Sequence, residues 1–520
     1  MYIYPNTDLK ILRNVNLNND YDHTIYFSGK TAQTEYFLSK AKYTLTNQQY
    51  QRKERGWIQV NINQNDLWDC TYIMYRNTSY NTKWFYAFIL SVDYVNDSVS
   101  RINFEIDVIQ TWHFDYTLDK CYVEREHTIS DNLFENTVQE NIDIGLSYYK
   151  SLSSARQLFD NSRLLIMVAT DKDNNAYSPR LEKNVFTGLR YRTFDLKDNT
   201  GLTLAIQFIT DMIGAGLEDN IVNIMQYPRF IGQLESDVNG FAYEDYQFVG
   251  NFTSIDGYTP QNKKLFCYPY NYLLVTDNEG QDKEYKWEMW GASHQGKFTL
   301  EGCGYGRPVV RIVPRYYKTS NYTHAYSDAL VYDNFPICPW VGDSYQVWLA
   351  QNKNQFMANA ATQIFNSAVT GAYGAATANP LTTLRGVGNL LTSISGSLGQ
   401  IQDAKYKSQK THGEPTTSLL AIQNETAGFE LKQMAIPFEY AMIIDEYFSR
   451  FGYACCRVKI PNRNARQNWT YTKTIGCEIN GNVPSDDINK IKNVYDHGIT
   501  FWNNGDNIGE YNGFYNPVYT

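Results

Sequence analysis

Along the first 130 residues, apolar and polar positions tend to alternate with a period of two. Residues 57–63 (WIQVNIN) and 100–112 (SRINFEIDVIQTW) alternate, while 71–75 (TYIMY) and 83–92 (KWFYAFILSV) are aromatic and β-branched. Alternation sends successive side chains to opposite faces, and Asn, Asp, Gly and Ser clusters between the runs supply turns. A meander or small barrel is predicted. From 131 to 352 the texture is mixed. Residues 164–169 (LLIMVA) form a short apolar run of buried-strand type, and 202–225 predict a helix interrupted near Gly214 and Gly216 and ended by Pro228. Residues 264–275 and 284–290 flank a turn at 278–280 as a hairpin, and 297–300 and 309–313 read as strands. From Ile436 onward strands return, with helices predicted over 440–451 and 486–496. No internal repeat or low-complexity tract breaks this pattern. The predicted fold class is mainly β with some α (α+β).

One stretch departs from the rest. Between Asn354 and Gln402 the only charged side chain is Arg385, and Ala, Gly, Ser and Thr dominate. A single Asn379–Pro380 step divides it, so two helices joined by a Pro turn are predicted. Met357, Ala361, Ile364, Ala368, Gly371 and Ala375 step by four and three in the first half. Leu384, Val387, Leu391, Ile394, Leu398 and Ile401 do the same in the second. This is the spacing of helices packed side by side. The remaining faces carry small, mildly polar residues such as Ser367, Thr370, Thr392 and Gly396, a composition suited to close helix packing in a membrane. The second stripe would be roughly 27 Å long at 1.5 Å per residue, near the ~30 Å of a bilayer core. Neither half holds 18 consecutive apolar residues. A buried helical hairpin at a subunit interface and a conditionally exposed membrane element both fit, and the two are compatible. The chain thus divides into 1–130, 131–352, 353–410 and 411–520.

Composition adds limits. The 520 residues suffice for about three domains. Aromatics reach 15%, with 43 Tyr and 26 Phe, which favours sheets. A net charge of -9 argues against tight nucleic-acid binding, which draws its affinity from phosphate neutralisation. It is compatible with DNA passing through a channel. The first ten residues (MYIYPNTDLK) lack a basic stretch followed by an apolar run, so no secretory signal is expected. Eight scattered cysteines with no CxxC predict buried free thiols rather than a disulfide scaffold or zinc site.

Candidate chemistry is sparse. The Gly302-Cys303-Gly304-Tyr305-Gly306 run is followed by Arg307-Pro308 and a strand, so it reads as a turn rather than a phosphate loop. Asp171, Asp173, Asn175 and Glu182 take calcium-loop spacing, but Ala176 stands where the sharp turn needs Gly. Seven histidines never form a close pair, and no GxSxG elbow occurs. No catalytic residue, metal site or cofactor is predicted. Arg450, Arg457, Lys459, Arg463, Arg466 and Lys473 form the one local basic cluster, expected to be a solvated or intersubunit face that balances an acidic partner.

Three N-terminal stretches, KWFYAF (83–88), FEIDVIQTW (104–112) and VEREH (123–127), occur in that order. With FGY (451–453), RVK (457–459), Pro461-Asn462, Thr472-Lys473 and DHGITFW (496–502), they resemble the tail-knob, or distal tail-tube, proteins of small short-tailed bacteriophages with protein-primed genomes that infect Gram-positive hosts. Shorter echoes lie at 145–148 and 219–225. The resemblance implies a non-enzymatic virion protein at the distal tail tip, assembled in the host cytoplasm. It implies a β-rich tube built from both chain ends and a homo-hexamer around a DNA channel. Residues 353–410 would form a hydrophobic plug loop that acts on host membrane lipid, and 411–520 would complete the tube. Other tail and collar proteins are implied as partners, with DNA passing unbound. A cell-wall-degrading tail hydrolase and a receptor-binding adhesin are the rival readings; neither requires the uncharged hairpin.

Overall fold

The computed structural model describes residues 6–48, 56–79, 82–142, 150–159, 163–169, 181–182, 185–186, 189–195, 199–214, 220–228, 241–290, 295–303, 309–318, 325–333, 340–342, 410–412, 428–512 and 515–519. It is mostly β, in two compact units. Unit 1 gathers 1–148, 253–270 and 436–520; unit 2 gathers 149–252 and 271–435.

In unit 1 the predicted N-terminal strands form one antiparallel sheet. Its strands are β1 (Thr7–Arg13), β3 (Ala41–Gln48), β4 (Gly56–Val60), β5 (Cys70–Asn77), β6 (Phe85–Asn96) and β7 (Val99–Ile106), in the spatial order β3-β1-β5-β6-β7-β4. Tyr43 and Leu45 from edge strand β3 and Ile58 and Val60 from edge strand β4 pack into the same core as Leu9, Ile11, Ile73 and Phe104. The sheet therefore curls until both edges cover one apolar interior. Gly56 permits this locally, because a Cβ there would meet the Phe104 ring at 2.8 Å.

Alternation over 100–112 does not continue as strand. Asp107 stops β7: its Oδ1 accepts the Gln110 N–H at 3.0 Å and caps a one-turn helix, Val108–Trp112, all of whose residues are buried. Tyr72 donates to the other carboxylate oxygen at 2.8 Å. Apolar alternation cannot distinguish a strand from a turn of helix buried on all sides.

The second sheet interleaves the two chain ends. β2 (His23–Ile25) runs parallel to Ile499–Trp502, which pairs with Trp469–Ile475. That strand pairs with β9 (Cys121–Glu126), and β9 pairs with Tyr453–Lys459. An N-terminal strand thus sits between two C-terminal ones. The predicted C-terminal helices are present at Phe438–Phe451 and Ser485–His497.

In unit 2, Arg163–Ala169 is a strand flanked by Leu189–Asp195 and Ile221–Tyr227. The predicted 202–225 helix is instead Asn199–Gly214, followed by that last strand. Two glycines and the β-branched run at 221–224 change the period from helix to strand. Asn271–Thr276 and Asp282–Tyr285 form the predicted hairpin, with Asn278 (φ 59°) and Gly280 (φ 111°) in its turn. Its outer ends fold as short 3₁₀ turns, Lys263–Phe266 and Trp287–Met289, rather than strand.

Lys150–Leu158, Gly428–Ala435 and Asn271–Thr276 are adjacent strands, with Lys150 and Asn271 both opposite Ala435. Three entries into unit 2 therefore lie side by side. The fourth is tied by the fully buried Gln433, which accepts the Asn251 N–H and donates to the Asn251 carbonyl, both at 2.8 Å. It also donates to Asn271 Oδ1 at 3.2 Å.

Two outcomes follow for stability. Gln433→Leu takes these partners from Asn251 and from the buried Asn271 amide, and should cost about 1–3 kcal/mol in denaturant titration, the penalty of one buried polar group. Gly452 ends the Phe438–Phe451 helix at φ 65°, and a Cβ there would stand 2.2 Å from the Glu126 carbonyl oxygen. Gly452→Ala should destabilise by about 2 kcal/mol or more in the same assay.

Candidate functional site

The most elaborate polar arrangement in the described residues joins the three segments of unit 1. Glu126, at the end of β9, is fully buried and forms an ion pair with Lys459. It also accepts the Asn462 N–H at 2.8 Å and the Asn462 side-chain amide at 2.9 Å. Glu140 is buried against Lys264 at 2.5 Å and pairs with Arg125, and it accepts the Ala454 N–H at 2.9 Å. Asp445, on the inward face of the Phe438–Phe451 helix, accepts the Tyr258 hydroxyl (2.6 Å) and the backbone N–H groups of Gln261 (2.7 Å) and Asn262 (3.0 Å). Tyr453 donates to Asp131 at 2.7 Å.

His127 lies at the centre of this arrangement. Its Nδ1 accepts the Tyr471 N–H at 2.8 Å, which leaves Nε2 to donate to the Ser449 carbonyl at 3.2 Å. Both bonds suit the neutral ring. Burial, reinforced by the Arg466 charge, lowers its pKa to about 3. His113 is likewise lowered to about 4, by burial and then by Arg463. Burial raises Asp107 to about 6 against its hydrogen bonds from Gln110 and Tyr72.

The basic cluster is divided between surface and interior. Lys459 is answered by Glu126, Lys473 by Glu124 at 3.0 Å and Arg450 by Glu446. Arg466 is buried, and Arg463 lies over the Tyr116 ring at 5.6 Å. Only Arg457 stands exposed with no ion pair among the described residues. The expected solvated face therefore holds for Arg450, Arg457 and Lys473 and is corrected for Lys459, Arg463 and Arg466: a sequence shows where cations cluster but not that β9 brings Glu126 to meet Lys459. Glu126, Glu140 and Asp445 were not singled out from the sequence. The one available signal was Asp445, a carboxylate at an apolar-face position between Ala441, Ile444 and Phe448.

The twelve stripe residues, Met357, Ala361, Ile364, Ala368, Gly371, Ala375, Leu384, Val387, Leu391, Ile394, Leu398 and Ile401, lie outside the described residues, as does Arg385. What is described is the base from which that segment leaves. Trp340–Gly342 and Lys410–His412 pair antiparallel, with Trp340 opposite His412 and Gly342 opposite Lys410. The calcium-spaced Asp171, Asp173 and Asn175 and the glycines Gly304 and Gly306 also fall outside. Among the described residues no cluster of three or more His, Cys, Asp or Glu is placed to hold a metal ion. Cys70, Cys121, Cys267, Cys455 and Cys477 are buried and outside any disulfide; Cys456 is exposed.

The histidines fix a pH response. An unfolded histidine binds a proton below about 6.5, whereas native His127 refuses it until about 3. Between these values the unfolded state holds more protons, so His127 removes stability as pH falls, at about 1.4 kcal/mol per unit. Asp107 acts oppositely between its unfolded value of 3.8 and about 6, because there the native form holds the extra proton. In His127→Gln, the slope of stability against pH between 6.5 and 4 should fall by about 1.4 kcal/mol per unit. Urea titrations across that range check it, and an unchanged slope would refute the assignment.

Residues 237–514 match the family model described as the tail knob protein gp9 of Bacillus phage phi29, C-terminal domain. Residues 5–117 match the caudoviral major tail protein N-terminus. The tail knob protein gp9 of Bacillus phage B103 is 24% identical over 596 aligned residues, covering 97% of this chain and 98% of that protein. Its counterpart in Bacillus phage phi29 is 24% identical over 586, with the same coverage. The likeness thus runs through the middle region as well as the ends. The structure of the bacteriophage C1 tail knob protein, gp12, shares the fold, with a TM-score of 0.62 at 14% identity over 99% of this chain and all of that one. The chain therefore belongs to the gp9-type tail knob family of short-tailed, protein-primed bacteriophages, and is a structural protein of the phage tail.

Proposed function

We propose that six copies of the chain form a ring at the distal tail tip, and that residues 353–410 from each copy fill its lumen until the tail meets its host. The reading rests on family membership, on the lone charge between Asn354 and Gln402, and above all on the paired base of that segment. Gly342 and Lys410 are opposite each other in a two-stranded ladder, so the excursion leaves and returns at one place. Such a loop can change its surroundings without pulling apart the strands that carry it.

In the ring the apolar stripes bury against one another. On release they enter lipid, while Ser, Thr and Gly faces line a passage. Arg385, beside the turn, then sits toward water or lipid phosphate rather than in the bilayer centre. The net charge of -9 suits a channel that DNA crosses without being held. The action is mechanical rather than catalytic, and collar and other tail proteins hold the ring in the virion, which is assembled in the host cytoplasm.

The paired base also supplies a clean test. Replacing residues 343–409 by Asn-Gly closes the ladder with the turn such strands prefer. The wild-type chain should have six-fold mass and release dye from bacterial-lipid liposomes at some pH between mildly alkaline and mildly acidic. The shortened chain should keep that mass and release none, and virions carrying it should assemble but fail to deliver DNA. Equal leakage from both chains, or normal infection by the shortened one, would overturn the membrane role.

A further inference from the structure

Unit 1 carries two exposed apolar surfaces, a row of side chains across three strands and a groove. One is a ridge on the second sheet. Val458 and Ile475 are each opposite Tyr122 on the neighbouring strands, so the three form a row across three strands. All are exposed, at 66%, 56% and 38%. Ile460, just beyond the edge strand, is 52% exposed. A soluble chain seldom leaves adjacent large apolar side chains in water across three strands without something to cover them. Among the described residues Tyr453–Lys459 is moreover an edge, paired on one side only, and such an edge is open to another chain.

The other surface is a groove on the first sheet, an open cavity of about 660 Å³ lined in part by Leu67, Trp68, Ile89 and Leu90. Trp68 is 84% exposed and Leu90 55%. Packing against this protein's own core accounts for neither.

Charge separates the two surfaces. Asp66, Asp93 and Asp97 stand exposed beside the groove, with Arg101 opposite Asp93. The ridge has Arg457 next to Val458 and Lys120 at the start of β9, both exposed. The other cations close by, Lys459 and Lys473, are already neutralised by Glu126 and Glu124.

We infer that the ridge of one copy docks into the groove of a second copy. Trp68 and Leu90 cover the Val458–Tyr122–Ile475 row, and the acidic rim faces Arg457 and Lys120. The inference rests on the proposed ring and specifies its contact. Two different, complementary patches on each subunit give head-to-tail association, which closes into a ring where the rotation allows. Two copies of one patch would stop at a dimer. The exposed Arg457, which has no ion pair among the described residues, thereby acquires an acidic counterpart.

The test uses the full chain, with mass read by native mass spectrometry and sedimentation. Val458→Asp spoils the ridge and Trp68→Asp the groove; both side chains are exposed, and hydrogen exchange confirms that the fold is kept. Each variant should associate at least tenfold more weakly and show single-chain mass where the wild type is assembled. An equimolar mixture of the two should give a two-chain species, because one intact ridge and one intact groove remain between them. A variant that keeps the wild-type mass, or a mixture that stays single-chain, overturns this docking while leaving the ring itself standing. A wild-type chain of single-chain mass at all concentrations overturns both.

Discussion

Three carboxylates removed from water, Glu126, Glu140 and Asp445, set the terms on which unit 1 can form. Each is answered by groups from a distant part of the chain: Glu126 by Lys459 and Asn462, Glu140 by Lys264 and Ala454, Asp445 by Tyr258, Gln261 and Asn262. Apolar burial is non-directional and would tolerate several arrangements of the aromatic core. A buried carboxylate does not. If β9 slid by one residue between its C-terminal neighbours, Glu126 would turn to the other face of the sheet and leave Lys459 and the Asn462 amide unanswered. Loss of one partner from such a pair costs about 3–5 kcal/mol. The network therefore contributes register more than raw stability.

That requirement also explains the neutral histidine. His127 follows Glu126 directly and joins Tyr471 of one C-terminal strand to Ser449 of the preceding helix. A charged ring would need a second acceptor in place of the Tyr471 N–H, in a region where Arg466 and Arg125 already disfavour added positive charge. Burial holds the ring neutral, and the nearby cations reinforce it. Acid acts here through the unfolded chain, whose histidine takes the proton that the buried ring refuses.

Much of this architecture was legible in the sequence where the signal was local. Strands at 71–75 and 83–92 and helices at 440–451 and 486–496 were each found within a few residues, because periodicity and turn residues agree there. The errors occurred where a polar side chain decides the outcome. Asp107 converts an alternating run into a helix by capping it, and the 202–225 period changes at Gly214. The basic cluster was misplaced in part, for a different reason. Lys459 turns inward because Glu126, more than 300 residues earlier in the chain, lies buried across the sheet from it. The motifs shared with the tail knob family included VEREH, so the decisive residues were in view, but their buried roles require the fold.

The nesting of the chain follows from the same economy. Unit 2 is entered and left at Lys150, Asn271 and Ala435 on adjacent strands, with Asn251 bound by Gln433 beside them. Inside unit 2, the uncharged segment is entered and left at Gly342 and Lys410, again opposite each other. Each excursion is closed by its own base, so its interior adds little to the cost of organising what lies outside. Loop-closure entropy grows only by about 0.6 kcal/mol per doubling of length. The two closures differ in strength. The first is a multistranded sheet with a buried glutamine at its centre; the second is a ladder of three residue pairs, of a size that is marginal by itself in water. A chain built in this way places its weakest closure at the base of the segment with the fewest charges. On the reading proposed above, that base is where the segment would yield first.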